Sequence, residues 1–153
     1  MTDAAIFRQA TQGDVDQITD LVRAAYARWV PLIGREPVPM TVDYRAALRM
    51  HRFDLLIVEG ALVGLIETLL QPDHLWIENI AVHPDRQGRG FGRQLLAHAE
   101  ALARAGGCPE VRLLTNAAFA SNVALYQRTG FRIDRAEPFH LGGTTLYMGK
   151  ALD

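Results

Sequence analysis

"IAVHPDRQGRGFGRQLL", residues 80–96, decides how this chain of 153 residues is read, because a β-type run passes through Gly88, Gly90 and Gly92 straight into helical leucines. Arg86, Arg89 and Arg93 are threaded among the glycines. A strand that turns into a helix this way presents the helix's first N–H groups, which lack intrahelical partners and carry roughly half a positive charge, so the turn favours an anion. Glycine permits positive φ and close backbone approach, and arginine adds charge-assisted donors for phosphate oxygens. A P-loop is excluded, because no Lys-Ser/Thr pair follows the last glycine. The G-x-G-x-G spacing also fits a dinucleotide loop poorly, and Glu110, at the right distance for a ribose-binding acid, falls at the start of its strand rather than its end.

Working outward, the segments before the turn, "FDLLIVEG", "ALVGLIETLLQ" and "HLWIENIAVHP", are three β-rich runs separated by turn signals at Glu59-Gly60 and Gln71-Pro72-Asp73, the pattern of an antiparallel meander. Upstream, "AIFRQ" predicts a short strand. "TQGDVDQITDLVRAAYARWV" predicts an amphipathic helix behind a Thr11 to Asp14 capping box. The prolines of residues 31–40 predict a loop, and "TVDYRAALRMH" a second short helix. After the turn, a helix from Phe91 stops at Gly106-Gly107, "EVRLLT" reads as a buried strand, "FASNVALYQRTG" as a helix, and "FRIDRAEPF" and "TTLYMGKAL" as closing strands. The order is βααβββαβαββ, a mixed α/β fold with one central, mostly antiparallel sheet flanked by helices, and residues 1–153 form a single domain.

With 49% hydrophobic residues the chain can fill one core, and a formal net charge of −1 removes any bulk attraction for nucleic acid or an anionic membrane. No apolar run approaches the roughly 20 residues of a membrane span, and the N-terminus has no secretory pattern. Cys108, the single cysteine, has no internal disulfide partner and is expected to pack in the core. A cytoplasmic protein is expected. The five histidines show no metal-ligand spacing, so no metal is assigned.

Gln87, Gly90 and Gly92, standing after Val82 and Pro84, resemble the acetyl-CoA-binding segment of the GNAT superfamily of N-acetyltransferases. "TNAAFASNVALYQRTGF" is similar to that family's second cofactor-side segment, and the order of elements agrees over essentially the whole chain. One departure is that many members place an asparagine about seven residues before the tyrosine, where this chain has Phe119; Asn122 stands four before Tyr126.

The resemblance implies acetyl-CoA as cosubstrate. The main chain of Ile80 and Val82 would pair with the pantetheine arm, and Gln87, Gly88, Arg89, Gly90, Gly92 and Arg93 would cradle the pyrophosphate, with Asn122 a further contact. It also implies direct transfer to an amine in a ternary complex, with Tyr126 as the acid that protonates the leaving thiolate and a backbone N–H near Val82 meeting the oxyanion. Glu78 is the candidate base, and Glu67 and Asp43 are the runners-up. Strand alternation places Glu78 on the face of Ile80 and Val82 unless a bulge intervenes. Tyr26, Trp29, Met40 and Tyr44 are candidates for lining the acceptor pocket, and acidic groups in "GREPVPMTVDY" for attracting a cationic amine. The partner is a small-molecule or peptide amine; members of the family often dimerise, which leaves a homodimer open. A non-catalytic acyl-CoA-binding or sensor domain is the alternative function.

Overall fold

Along Phe53 to Val58 large apolar residues follow one another without polar relief, apart from Asp54, so this strand must be covered on both faces. Phe53 and Leu55 bury on one face, and Leu56 and Val58 on the other. The computed structural model describes residues 5–153 and shows the expected solution, a sheet between two layers of helices.

The strands are β1 (Ala5–Gln9), β2 (Arg52–Val58), β3 (Ala61–Leu70), β4 (Leu75–Val82), β5 (Glu110–Asn116), β6 (Arg132–Pro138) and β7 (Thr144–Ala151). They form one seven-stranded sheet in the order β1, β2, β3, β4, β5, β7, β6. Every neighbouring pair is antiparallel except β4 and β5. The helices are α1 (Val15–Tyr26), α2 (Val30–Ile33), α3 (Tyr44–Met50), α4 (Phe91–Ala105) and α5 (Ala120–Arg128). Apart from α2, a single turn that starts at the last residue of the expected first helix and runs into the expected 31–40 loop, this is the order read from the sequence.

The β2–β3 hairpin turns on Glu59 and Gly60, at φ 51° and 80°. Two consecutive positive φ values are what a two-residue turn needs to match the strand twist. Asp14 anchors the start of α1: its carboxylate accepts the Thr11 main-chain N–H at 2.8 Å and both Arg8 Nη groups at 2.7 and 2.9 Å. The Arg8 guanidinium, helped by the Thr11 N–H, holds this carboxyl at about 2, below its ordinary 3.8.

One core lies between α4 and the sheet, with Leu95, Leu96 and Ala99 against Leu56, Ile66, Val111 and Leu113. The other lies under α1 and α3, where Ile18, Val22, Tyr26 and Tyr44 meet Phe53, Leu55, Leu65 and Ala81. Cys108 is buried in the first, its thiol donating to Gln71 O at 3.4 Å.

Two features depart from simple alternation. The β3–β4 register shifts by one residue between Glu67 and Thr68, whose partners are Asn79 and Ile77, so Glu78 is an extra residue in a β-bulge. Glu78 therefore leaves the face of Ile80 and Val82 that alternation assigned to it, and its carboxylate accepts the Trp76 indole N–H at 2.8 Å instead. Secondly, β5 is not buried on both faces as its apolar run suggested: Val111 and Leu113 are buried, but Leu114 is 47% exposed. The reason is that β4 pairs with β5 over Leu75–Ile77 and Val111–Leu113 alone, and the strands separate beyond.

Candidate active site

The separation of β4 and β5 begins at the bulge. His83 N donates to Val63 O of β3, so by the two-residue period the main-chain groups of Ala81 also face β3, and those of Ile80 and Val82 face the opening. Val82 O accepts Gln87 Nε2 at 3.2 Å, and Ile80 O lies 3.2 Å from the Tyr26 hydroxyl, whose single proton it shares with the nearer Asn79 Oδ1. The N–H groups of Ile80 and Val82 are what β4 still offers there.

On one side of the opening lies a cleft of about 380 Å³ whose lining includes Ile80, Val82, Gln87, Gly88, Gly90, Gly92, Arg93 and Asn122. Eight of the nine residues expected to bind the cofactor are thus brought together; Arg89 is not part of this lining, while Arg86 is. Gly88 and Gly90 have φ of 78° and 83°, which glycine adopts without strain, and Gly90 caps α4 in that left-handed conformation. A methyl group on Gly92 would stand 2.8 Å from Leu125 Cδ2 of α5, so any larger residue there has to displace that side chain. The first main-chain bond of α4 runs from Gln94 N to Gly90 O, so the N–H groups of Phe91, Gly92 and Arg93 have no helical acceptor. A run of free N–H groups with Arg86 and Arg93 beside it fits a pyrophosphate.

A second cleft, of about 130 Å³, lies against the splayed ends of β4 and β5 and includes Glu78, Asn79, Leu114, Thr115 and Phe119. Tyr26, Ile80, Asn122 and Tyr126 line both clefts and mark their junction. The Tyr26 hydroxyl donates to Asn79 Oδ1 at 2.8 Å, Asn79 Nδ2 donates to the Tyr44 hydroxyl at 3.1 Å, and that hydroxyl donates to Pro39 O at 2.6 Å. Tyr126 is 4% exposed, and among the described residues its hydroxyl has no hydrogen-bond partner. Burial pushes all three phenols above their ordinary pKa.

Residues 17–131 match the family described as Acetyltransferase (GNAT) family. The chain belongs to that family. A curated relative of this GNAT acetyltransferase, the uncharacterized N-acetyltransferase YvbK of Bacillus subtilis (strain 168), is 36% identical over 63 residues, a stretch covering 41% of each chain. The structure is similar to PaiA N-acetyltransferase from Thermoplasma acidophilum in complex with coenzyme A, with a TM-score of 0.85 at 16% identity over 97% of this chain and 99% of that one. It is also similar to a GNAT family acetyltransferase from Elizabethkingia anophelis with acetyl-CoA bound, with a TM-score of 0.76 at 19% identity over 99% and 100% of the two chains.

Other sequence expectations for this GNAT acetyltransferase meet a more mixed outcome. Asp43 caps α3 by accepting Arg45 N and Ala46 N, and Glu67 is buried with His51 Nδ1 2.6 Å from its carboxylate, so neither runner-up lines either cleft. Burial raises the Glu67 pKa, with His51 opposing. Of the four residues considered for the acceptor pocket, Tyr26 lines both clefts and Trp29 the one at the glycine turn, whereas Met40 and Tyr44 lie outside both. Phe119, where many members carry asparagine, stacks on Trp29 at 4.7 Å and meets Tyr26 of α1 edge-on at 6.4 Å, tying the end of α1 to the residue that precedes α5.

Arg28 is a residue that sequence reasoning missed. Its Nη1 donates to Gln87 Oε1 at 2.9 Å and its Nη2 to Ser121 Oγ at 3.0 Å, while the guanidinium lies 4.3 Å from the Trp29 ring centroid. It thereby bridges the glycine turn and α5 beside the larger cleft, whose lining it shares. Nothing in the sequence marked it, because an arginine in the last turn of a helix is the ordinary complement of the helix dipole. No helix among the described residues is long and apolar enough to cross a membrane.

Proposed function

We infer that this acetyltransferase carries an acetyl group from acetyl-CoA to a primary amine of a small molecule or peptide in the cytoplasm, by direct attack in a ternary complex. Tyr126 is the acid and Glu78 the base. The observation that carries the reading is the position of Tyr126, its hydroxyl proton undonated, where the cleft of the glycine turn meets the cleft of Glu78.

The amine arrives mostly as ammonium, and Glu78 takes its proton directly or through water. One carboxylate oxygen of Glu78 holds the Trp76 indole, which orients the group and leaves the other oxygen for the amine. The nitrogen lone pair attacks the thioester carbon, forming the C–N bond, and the oxyanion is met by a main-chain N–H of Ile80 or Val82. The C–S bond then breaks and its electron pair leaves with sulfur, which takes the Tyr126 proton, while the second proton of the acylated nitrogen passes through water to the tyrosinate and Glu78 gives the first to solvent, leaving a neutral amide and thiol. The burial that keeps Tyr126 protonated also raises the basicity of a thiolate formed beside it, so donor and acceptor stay matched.

The test is thiol release from acetyl-CoA with a broad amine panel, with product identified by mass. One acetylated amine should form per thiol released. An acetylated protein accumulating when acetyl-CoA is added without amine would overturn direct attack.

A further inference from the structure

Among the described residues, one cation lines the cleft that holds Glu78. Arg35, partly buried in the loop after α2, lines this cleft with its guanidinium 5.2 Å from the Phe139 ring centroid. Among the described residues it has no ion-pair partner, although carboxylates are close in sequence. Glu36 pairs with Arg23 at 3.1 Å, and Asp43 is occupied by the N-terminus of α3. The acidic groups expected to draw an amine into this segment are therefore turned to other tasks, and what the segment gives the cleft is a positive charge. A guanidinium is a rigid fork suited to a carboxylate, and a partly desolvated one without an anion forfeits most of that interaction.

We propose that Arg35 binds an anionic group, a carboxylate, on the acceptor itself, so that the acceptor is an amino acid whose amine goes to Glu78 and whose carboxylate goes to Arg35. This rests on the reading of the Glu78 cleft as the acceptor side. The charge count argues for a zwitterion: one arginine and one glutamate balance one carboxylate and one ammonium, whereas a phosphorylated acceptor would leave a negative charge unmatched. The apolar rim argues for an apolar body, because Val38 and Leu114 line the cleft while remaining 49% and 47% exposed. At about 130 Å³ the cleft is smaller than the roughly 300–1,000 Å³ of drug-sized sites, which suits a free amino acid.

The experiment compares three matched sets in the thiol-release assay with the intact protein: leucine, leucinamide and isoamylamine; phenylalanine, phenylalaninamide and phenethylamine; 6-aminohexanoate, its amide and hexylamine. Within at least one set, kcat/KM for the acid should exceed that for its amide and amine about tenfold or more, the scale of a charge-assisted contact. Arg35→Ala should remove that preference by raising KM for the acid about tenfold while kcat stays within about threefold, and Arg35→Lys should restore part of it. Acetyl-CoA affinity, read by calorimetry on the same variants, should not change. Equal or better turnover of the uncharged members, or a preference that survives in Arg35→Ala, overturns the role of Arg35 and leaves acetyl transfer standing. Weaker acetyl-CoA binding in Arg35→Ala, with the acceptor KM unchanged, overturns the assignment of the two clefts instead.

Discussion

Tyr26 and Tyr126 both line the junction of the two clefts, but the Tyr26 hydroxyl already donates a hydrogen bond, chiefly to Asn79 Oδ1, and the Tyr126 hydroxyl donates none among the described residues. A phenol has one proton to donate, so the two rings are not interchangeable. Tyr126→Phe should lower kcat about 10²-fold or more with acetyl-CoA Kd within about twofold, as measured by steady-state kinetics and calorimetry. Tyr26→Phe should instead cost about 1–3 kcal/mol of stability, seen in urea melts, because it leaves a buried Asn79 oxygen unsatisfied. An unchanged kcat in Tyr126→Phe removes that residue from the acid role.

Glu78→Gln keeps a partner for the Trp76 indole but loses the base. Its kcat/KM should fall about 10- to 100-fold near neutral pH. The deficit should narrow as pH approaches the amine's own pKa near 10, where the acceptor needs no base. A deficit constant with pH points to positioning rather than proton removal.

Gly90 stands at φ 83° where α4 begins. Gly90→Glu adds strain and a carboxylate where phosphate belongs, so acetyl-CoA affinity should fall about 100-fold or more while the circular dichroism spectrum stays folded. Retained affinity in the folded variant would remove the glycine turn from the pyrophosphate site.

Arg28→Ala removes a cation and two hydrogen bonds from the wall of the cofactor-side cleft. Its KM for acetyl-CoA should rise about 3- to 10-fold, with kcat within about twofold, since the lost contacts lie away from the reacting atoms. No change in KM would confine Arg28 to holding Gln87 and Ser121.

Asp14 is a carboxyl depressed from 3.8 to about 2, so it stabilises the fold above pH 4 and loses that contribution as pH falls from about 4 to 2. With Arg8 46% exposed, screening trims its worth to about 1–2 kcal/mol. Asp14→Asn should be less stable by about this amount in urea melts at pH 7, and the gap should close at low pH. A gap that persists at pH 2 assigns the effect to packing.

The order of strands and helices along the chain and the glycine turn that opens α4 were legible because each depends on local pattern: the glycines at 88, 90 and 92, the period change at Phe91, the Glu59-Gly60 turn. The bulge at Glu78 was not, because an inserted residue leaves the composition of "WIENIAV" unchanged and shows only when Asn79 is matched with Glu67 on the next strand. The exposure of Leu114 followed the same logic, since a strand that loses its neighbour halfway still carries the apolar residues of a paired one. Arg28 and Arg35 were hidden for a different reason. Arginines are common on any surface, and what distinguishes these two is which partners they have, or lack, across the fold.

The short pairing of Leu75–Ile77 with Val111–Leu113 makes the sheet two rafts, one of four strands and one of three, moored by a few rungs at one end. Beyond the mooring the sheet has an inner shoreline, a main-chain edge of the kind other proteins keep at their margins and must guard. Here Tyr26 and Gln87 cover the carbonyls of β4, and the N–H groups of Ile80 and Val82 are left for a ligand. On the proposed reading, the docking that brings the thioester to Tyr126 also completes the sheet, and the enzyme is most nearly whole as a structure when it is ready to react.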